Sequence, residues 1–175
     1  SAQTETGANI SDQWTGSELP LAFASDSNPS DPVANVNDKL ISFNDRPANR
    51  WTNWNRSNPE ASVGVLFGDS GILSKRSVDN LSVGFHEDHG VGAPKSYVIE
   101  YYVGKTVPTA PKNPSFVGNE EQFFNDPVGW KRVSNLKAPA QLKAGEMNHF
   151  AFDKVETYAV HFRMVGSDNT LRTSI

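Results

Sequence analysis

The chain contains no cysteine. That removes disulfide scaffolding, thiol nucleophiles and cysteine-ligated zinc in one step. It does not fix the compartment, because exported Gram-positive modules often manage without disulfides. No apolar run approaches the length of a membrane span. The sequence shows no initiator methionine, no apolar signal segment and no targeting tail, and so reads as a piece excised from a longer polypeptide. Basic excess is missing as well. Sixteen Lys and Arg stand against 20 Asp and Glu, a net charge of -4, which argues against a nucleic-acid or anionic-membrane surface. No Gly-x-Ser-x-Gly elbow, phosphate-cradling glycine loop or dinucleotide fingerprint occurs. No segment carries a helical pattern.

What is present is an ordinary globular composition, 37% hydrophobic and 21% charged over 175 residues, enough for one domain with a sizeable core. Thirteen Gly and 11 Pro break the chain often, and between the breaks apolar residues recur at period two. Leu19, Leu21 and Phe23 alternate, as do Leu81, Val83 and Phe85, and Tyr97, Ile99 and Tyr101. In "TYAVHFRM", Tyr158, Val160, Phe162 and Met164 form one face and Ala159, His161 and Arg163 the other. "ASVGVLF" has the continuous apolar run of a fully buried strand, and "WKRV" and "HFAFD" read as further strands. Short strands, frequent turns and no strand–helix alternation predict an all-β, antiparallel β-sandwich over residues 17–175. Residues 1–16 are polar and read as a linker or a partly draped arm. Gly104 to Val128, with Pro108, Pro111, Pro114 and Pro127, exceeds the roughly 15 residues beyond which connections tend to be functional or disordered. Phe116, Phe123 and Phe124 predict that it folds onto the body or lines a site.

The stretch "GFHEDHGVG" crowds His86, Glu87, Asp88 and His89 between glycines. Zinc-binding His pairs sit three or four apart on a helix, whereas an odd spacing in extended chain sends the two rings to opposite sides. Adjacent carboxylates also diverge, unlike the separated pair of a glycosidase. Parity places His86 and Asp88 opposite the apolar Leu81, Val83 and Phe85, on the non-core side of a strand end. Short polar side chains there suit hydrogen bonding to hydroxyl groups. A solvated loop whose histidine caps backbone carbonyls fits the same residues.

A second cluster is "NRWTNWNR", Asn49 to Arg56. Extended backbone sends Trp51 and Trp54 to opposite faces, which predicts Trp51 as a buried anchor and Trp54 as a platform for a ligand beside Arg56. A tryptophan packed beneath the long connection is the alternative for Trp54. A pyranose stacks its C–H face on an aromatic ring, and in galactose the axial O4 leaves a continuous apolar patch. Its hydroxyls then require Arg, Asp, His or Asn partners. Trp130 reads as a core-rim residue, His149 and His161 as structural or surface residues, and Trp14 in the polar arm as uninformative.

Taken together, "NVNDKLISFNDRPANRWTNW", "VGFHEDHGVGAPKSYVIEYY", "FNDPVGWKRV" and "FDKVETYAVHFRM" resemble the discoidin, or galactose-binding-like, β-sandwich. More narrowly, the sequence is similar to carbohydrate-binding modules of family 71, related to family 32, that follow the catalytic core of large bacterial surface β-galactosidases. The resemblance implies a non-catalytic, monomeric, extracellular module, covalently linked to neighbouring domains, that binds terminal β-galactose, lactose or N-acetyllactosamine and neither nucleic acid nor membrane. It places the site in loops at one end of the sandwich. The matching residues are His86, Asp88 and His89 in one loop and Trp54 with Arg56 in another. Lys95, Asn119 and Phe123 are added by position alone. No cofactor is required for binding. The family's structural calcium implies Asp38 as a ligand, with carbonyls of the following loop and a Glu near the C-terminus. Two departures stand out. Lys39 replaces the turn glycine, and the sequence stops at "LRTSI", where the strand bearing that Glu is expected. Asp38 and Asp45 are equally readable as turn residues. The other readings are a spacer or protein-binding sandwich of a surface protein and, third, a glycosidase fragment or metal-dependent hydrolase.

Overall fold

The computed structural model describes residues 9–12, 19–44, 48–109, 124, 129–166 and 172–175. Among them the one helical element is a single 3-10 turn, Val33–Val36. The strands are β1 (Leu21–Ala24), β2 (Glu60–Leu66), β3 (Gly68–Asp69), β4 (Ile72–Leu73), β5 (Arg76–Gly84), β6 (Val91–Gly92), β7 (Ser96–Tyr102), β8 (Trp130–Arg132), β9 (Met147–Thr157), β10 (Ala159–Val165) and β11 (Arg172–Thr173). One layer is a five-stranded sheet in the order β1-β2-β10-β7-β8, antiparallel throughout. The facing layer is the antiparallel pair β5 and β9. Lys137 extends that layer by exchanging two backbone hydrogen bonds with Ala151, at 2.7 and 2.9 Å. The expected sandwich is therefore observed, with two departures from antiparallel pairing among the described residues: β6 and β11 run parallel, and so does the isolated bridge between Phe85 and Ala144.

The inner core follows the alternation in the sequence. Phe162 on β10 lies in register between Val63 on β2 and Ile99 on β7, and Tyr97 stacks on it at 4.7 Å. From the other layer Val78, Leu81, Val83, Phe150 and Phe152 complete the cluster. The ladder shifts register between Val78 and Asn80, where the partner residues run from Val155 to Ala151 and β9 carries the extra residues; Val78 and Leu81 are both buried in the core despite their odd spacing. Trp51 is the expected anchor, fully buried, with its indole N–H donating to Ser27 Oγ at 2.8 Å. Its backbone exchanges hydrogen bonds with Ile175 at 2.7 and 2.9 Å.

The outer face of the five-stranded sheet departs from the simple inside–outside pattern. All four residues of β1 are buried, because Leu21 and Phe23 face a second apolar cluster rather than solvent. The long connection supplies its cover. Phe124 packs 5.4 Å from Phe23 and 4.7 Å from Tyr102. That meets the expectation that its aromatics fold onto the body; Phe116 and Phe123 lie outside the described residues. Trp130 stacks on His161 at 3.8 Å, a packing role as expected. Described parts of the N-terminal arm are draped: Ile10 packs against the inner core, and the carbonyl of Ser11 accepts from Asn37 Nδ2 at 2.9 Å. Trp14 lies outside the described residues.

Beneath Trp130, the ring nitrogen Nε2 of buried His161 meets Glu100 Oε1 at 2.8 Å, and Arg163 Nε lies 3.3 Å from the same oxygen. The hydrogen bond from His161, aided by the charges of His161, Arg163 and Arg132, outweighs burial and holds the Glu100 carboxyl below its ordinary value of 4.5. A depressed carboxyl contributes stability that is complete above the unfolded-state value and is lost as pH falls through the folded-state value. Glu100→Gln is therefore expected to cost stability at neutral pH, with the gap to the parent narrowing as pH drops below 4.5. Denaturant titrations of both proteins across that range check it; a gap independent of pH would remove the carboxylate from the argument.

Candidate functional site

Three loops meet at one end of the sandwich. The first leaves β5. Phe85 is fully buried, so the next residue, His86, emerges half-buried at the rim. Asp88 and Val91 exchange backbone hydrogen bonds at 3.1 and 3.2 Å, closing a tight turn that Gly90 enters with φ +83°. The backbone N–H of His89 donates to Asp88 Oδ1 at 2.7 Å and so orients the carboxylate. The C-terminal segment braces this loop: Arg172 N–H donates to the Gly90 carbonyl at 2.8 Å, and His86 N–H to the Ser174 carbonyl at 3.2 Å.

The second loop carries Asp31, whose Oδ2 accepts from the buried hydroxyl of Thr52 at 2.7 Å. The third carries Arg50. Because Trp51 is committed to the core, its neighbour Arg50 points the opposite way, toward the space between Asp31 and Asp88. Arg50 Nε lies 3.7 Å from Asp31 Oδ1, and Nη2 lies 3.5 Å from Asp88 Oδ2. These separations exceed direct hydrogen-bonding distance. Nε is buried and has no hydrogen-bond partner. The two carboxylates thus hold the guanidinium in place by charge while leaving donor capacity unspent.

A cavity of about 410 Å³ lies here, lined by Asp31, Phe43, Arg50, His86, Glu87 and Asp88, with Ser30, Ala48 and the Ala144–Gly145 turn completing the wall. The Phe43 ring sits 5.2 Å from the His86 ring and forms the aromatic side. The surface joins charged donors, carboxylate acceptors and one apolar ring, suited to a compact neutral ligand rich in hydroxyl groups. Among the described residues, no three His, Asp or Glu side chains gather in a group able to hold a metal ion.

The expected residues distribute unevenly around this cavity. His86 and Asp88 line it together. His89 is exposed at the turn. Trp54 is 50% exposed and lies against Gly90, where an added Cβ would come within 3.0 Å of its Nε1; it stands beside the cavity rather than among its lining residues. Arg56 pairs with Asp26 at 2.9 Å, its carbonyl accepts from Arg172 Nε at 3.1 Å, and it is not among the residues lining the cavity. Lys95 is exposed, with its backbone N–H donating to the Val165 carbonyl at 2.9 Å, and is not among the lining residues. Asp38 also lies outside the lining, in a turn with Asn49. Asn119, Phe123 and Asp45 fall outside the described residues. Sequence reasoning missed Asp31, Phe43 and Arg50. For Arg50 a signal existed, since a residue next to a core tryptophan must face away from it. For Asp31 and Phe43 none did, because only loop packing brings them to His86.

The family model of the beta-galactosidase-like, galactose-binding domain matches residues 22–175. A comparison with curated protein sequences finds no match. A solved structure from work on the multiple functions of the Streptococcus pneumoniae beta-galactosidase BgaA is 87% identical in sequence, with a TM-score of 0.91, covering 97% of this chain and 96% of that one. The family model runs from within β1 to the end of the chain and so covers most of it, and the chain belongs to the BgaA-like carbohydrate-binding module family, the beta-galactosidase-like, galactose-binding domain.

Proposed function

We propose that the cavity receives a terminal galactose residue of lactose- or N-acetyllactosamine-type glycans and performs no chemistry on it. The observation that carries this reading is Arg50, whose guanidinium stands between two carboxylates, with Nε 3.7 Å from Asp31 and without a hydrogen-bond partner and Nη2 3.5 Å from Asp88. Arg50 donates to sugar hydroxyls, Asp31 and Asp88 accept from them, and His86 supplies one further polar contact. Phe43 offers its ring to the apolar C–H patch that the axial O4 of galactose leaves open. Trp54, half-exposed on the other side of the 86–90 turn, then meets the next sugar of a longer glycan. The role that follows is targeting: the module holds a parent beta-galactosidase, or the bacterial surface that carries it, against galactose-terminated glycans. Affinity of the single module is on the order of micromolar to millimolar, with avidity from neighbouring domains.

Calorimetric titration with galactose, lactose, N-acetyllactosamine and glucose tests the reading. Heat with the galactosides and none with glucose is expected; silence with every galactoside at millimolar concentration favours the spacer role instead. The two aromatics are expected to separate. Phe43→Ala loses binding to galactose itself, whereas Trp54→Ala leaves galactose nearly untouched and weakens only longer glycans, by about 0.5–1.5 kcal/mol beyond lost contact area. Equal losses for galactose in both variants would return Trp54 to the primary platform.

A further inference from the structure

Strand β11 stands between the loop that carries Asp88 and the loop that carries Trp54, and its half-buried Arg172 touches both. The Arg172 backbone N–H donates to the Gly90 carbonyl at 2.8 Å, on the turn that presents Asp88 to the cavity. The guanidinium reaches the other way: Nε and Nη2 both donate to the Arg56 carbonyl, each at 3.1 Å. That carbonyl ends a four-residue turn, Asn53 to Arg56, which the Arg56 N–H closes by donating to the Asn53 carbonyl at 3.1 Å. Trp54 is one of the two central residues. The other, Asn55, holds the left-handed backbone at φ 61°, a conformation asparagine tolerates. The Thr173 N–H fastens the near end of the same turn, donating to Asn53 Oδ1 at 2.9 Å. Arg172 thus ties the Trp54 turn to the Gly90 turn, against which the indole already lies: a Cβ on Gly90 would stand 3.0 Å from Trp54 Nε1.

We propose, resting on the galactose reading of the cavity, that Arg172 is a positioning residue that fixes the Trp54 ring beside it. Arg172 is not among the residues lining the cavity, so it selects for the length of the ligand without holding the terminal sugar. The physical reason is preorganisation. A half-exposed indole on a free turn gives up contact energy to ordering, and keeps that energy when the turn is already held. The two attachments of Arg172 also differ in kind. The bond to Gly90 belongs to the backbone and survives any substitution at 172 except proline. The bonds to Arg56 belong to the planar guanidinium fork, which sets two donors on one carbonyl. Exchanging the side chain therefore releases the Trp54 turn and leaves the Asp88 turn braced.

Calorimetric titration of the parent chain and of Arg172→Met with galactose and with N-acetyllactosamine tests this role. Methionine keeps an apolar stem and removes every side-chain donor, and the melting temperature is expected to stay within about 3 °C of the parent. The parent is expected to bind N-acetyllactosamine more tightly than galactose. In Arg172→Met that preference shrinks by about 2- to 10-fold, while galactose affinity stays within about twofold. Arg172→Lys, with a charged donor but no fork, recovers part of the preference. In a Trp54→Ala background Arg172→Met has no further effect, because the ring it positions is gone. The proposal is overturned if the parent shows no preference, if Arg172→Met leaves the preference unchanged, or if both sugars weaken by the same factor. It is equally overturned if the loss repeats in full without Trp54. A parent chain silent toward both sugars removes the galactose reading and this role with it, whereas a parent that binds with a preference Arg172→Met does not move removes the role alone.

Discussion

Arg50→Met is expected to lower galactoside affinity by roughly 10- to 150-fold for each hydrogen bond lost, because hydrogen bonds to a charged group contribute about 1.5–3 kcal/mol. Starting from a weak module, that places binding beyond the reach of calorimetry. The loss has two sources. The sugar loses its charged donor, and Asp31 and Asp88 lose the cation that both now face at 3.7 and 3.5 Å. Arg50→Lys separates them. Lysine restores a positive charge between the carboxylates but not the planar fork, so stability returns while affinity does not. Melting temperatures measured beside the titrations distinguish the two effects. An Arg50→Met protein that binds lactose within twofold of the parent would place the sugar elsewhere on the molecule.

Gly64→Ala is expected to be the most damaging small substitution outside the site. Gly64 lies in central strand β2, paired with Phe23 on one side and His161 on the other. A Cβ added there would lie 2.6 Å from Phe23 Cζ and 2.7 Å from His161 Cβ, and would press on the backbone carbonyl of Val160. The ring of Phe23 can turn aside, but the Val160 carbonyl belongs to the sheet and cannot move without breaking register. Overpacking of this kind costs about 3 kcal/mol. For a domain of this length the expected drop in melting temperature is roughly 6–12 °C. The same methyl group also disturbs the stack of Trp130 on His161, so loss of tryptophan near-ultraviolet signal should accompany unfolding. A Gly64→Ala protein that melts with the parent would mean that β1 and β10 part more easily than their packing indicates.

Much of the sandwich was legible in the sequence because period two is a local property. Whether Val160, Phe162 and Met164 share a face depends only on strand geometry, and the same holds for Leu81, Val83 and Phe85. Their burial followed as expected. The burial of Trp51 and the exposure of Trp54 were legible for the same reason. The outer face of β1 was not, since its cover comes from Phe124, about a hundred residues away in the sequence. Nor was the register shift between β5 and β9, because nothing in either strand's sequence announces that β9 takes its extra residues between Val155 and Ala151.

The site divides along the same line. His86 and Asp88 were accessible to reasoning because both stand at the end of one strand, and strand parity decides which way they face. Arg56 reads as equally suited to a ligand, and its pairing with Asp26 at 2.9 Å is a contact invisible until two loops are placed side by side. The sequence by itself determined the all-β class, the anchoring Trp51 and one loop of the cavity, since each rests on short-range alternation. Only the tertiary structure decided that Arg50, Asp31 and Phe43 line the same cavity as that loop. Those choices depend on distances across loops, which chain closure and packing set and which no local pattern encodes.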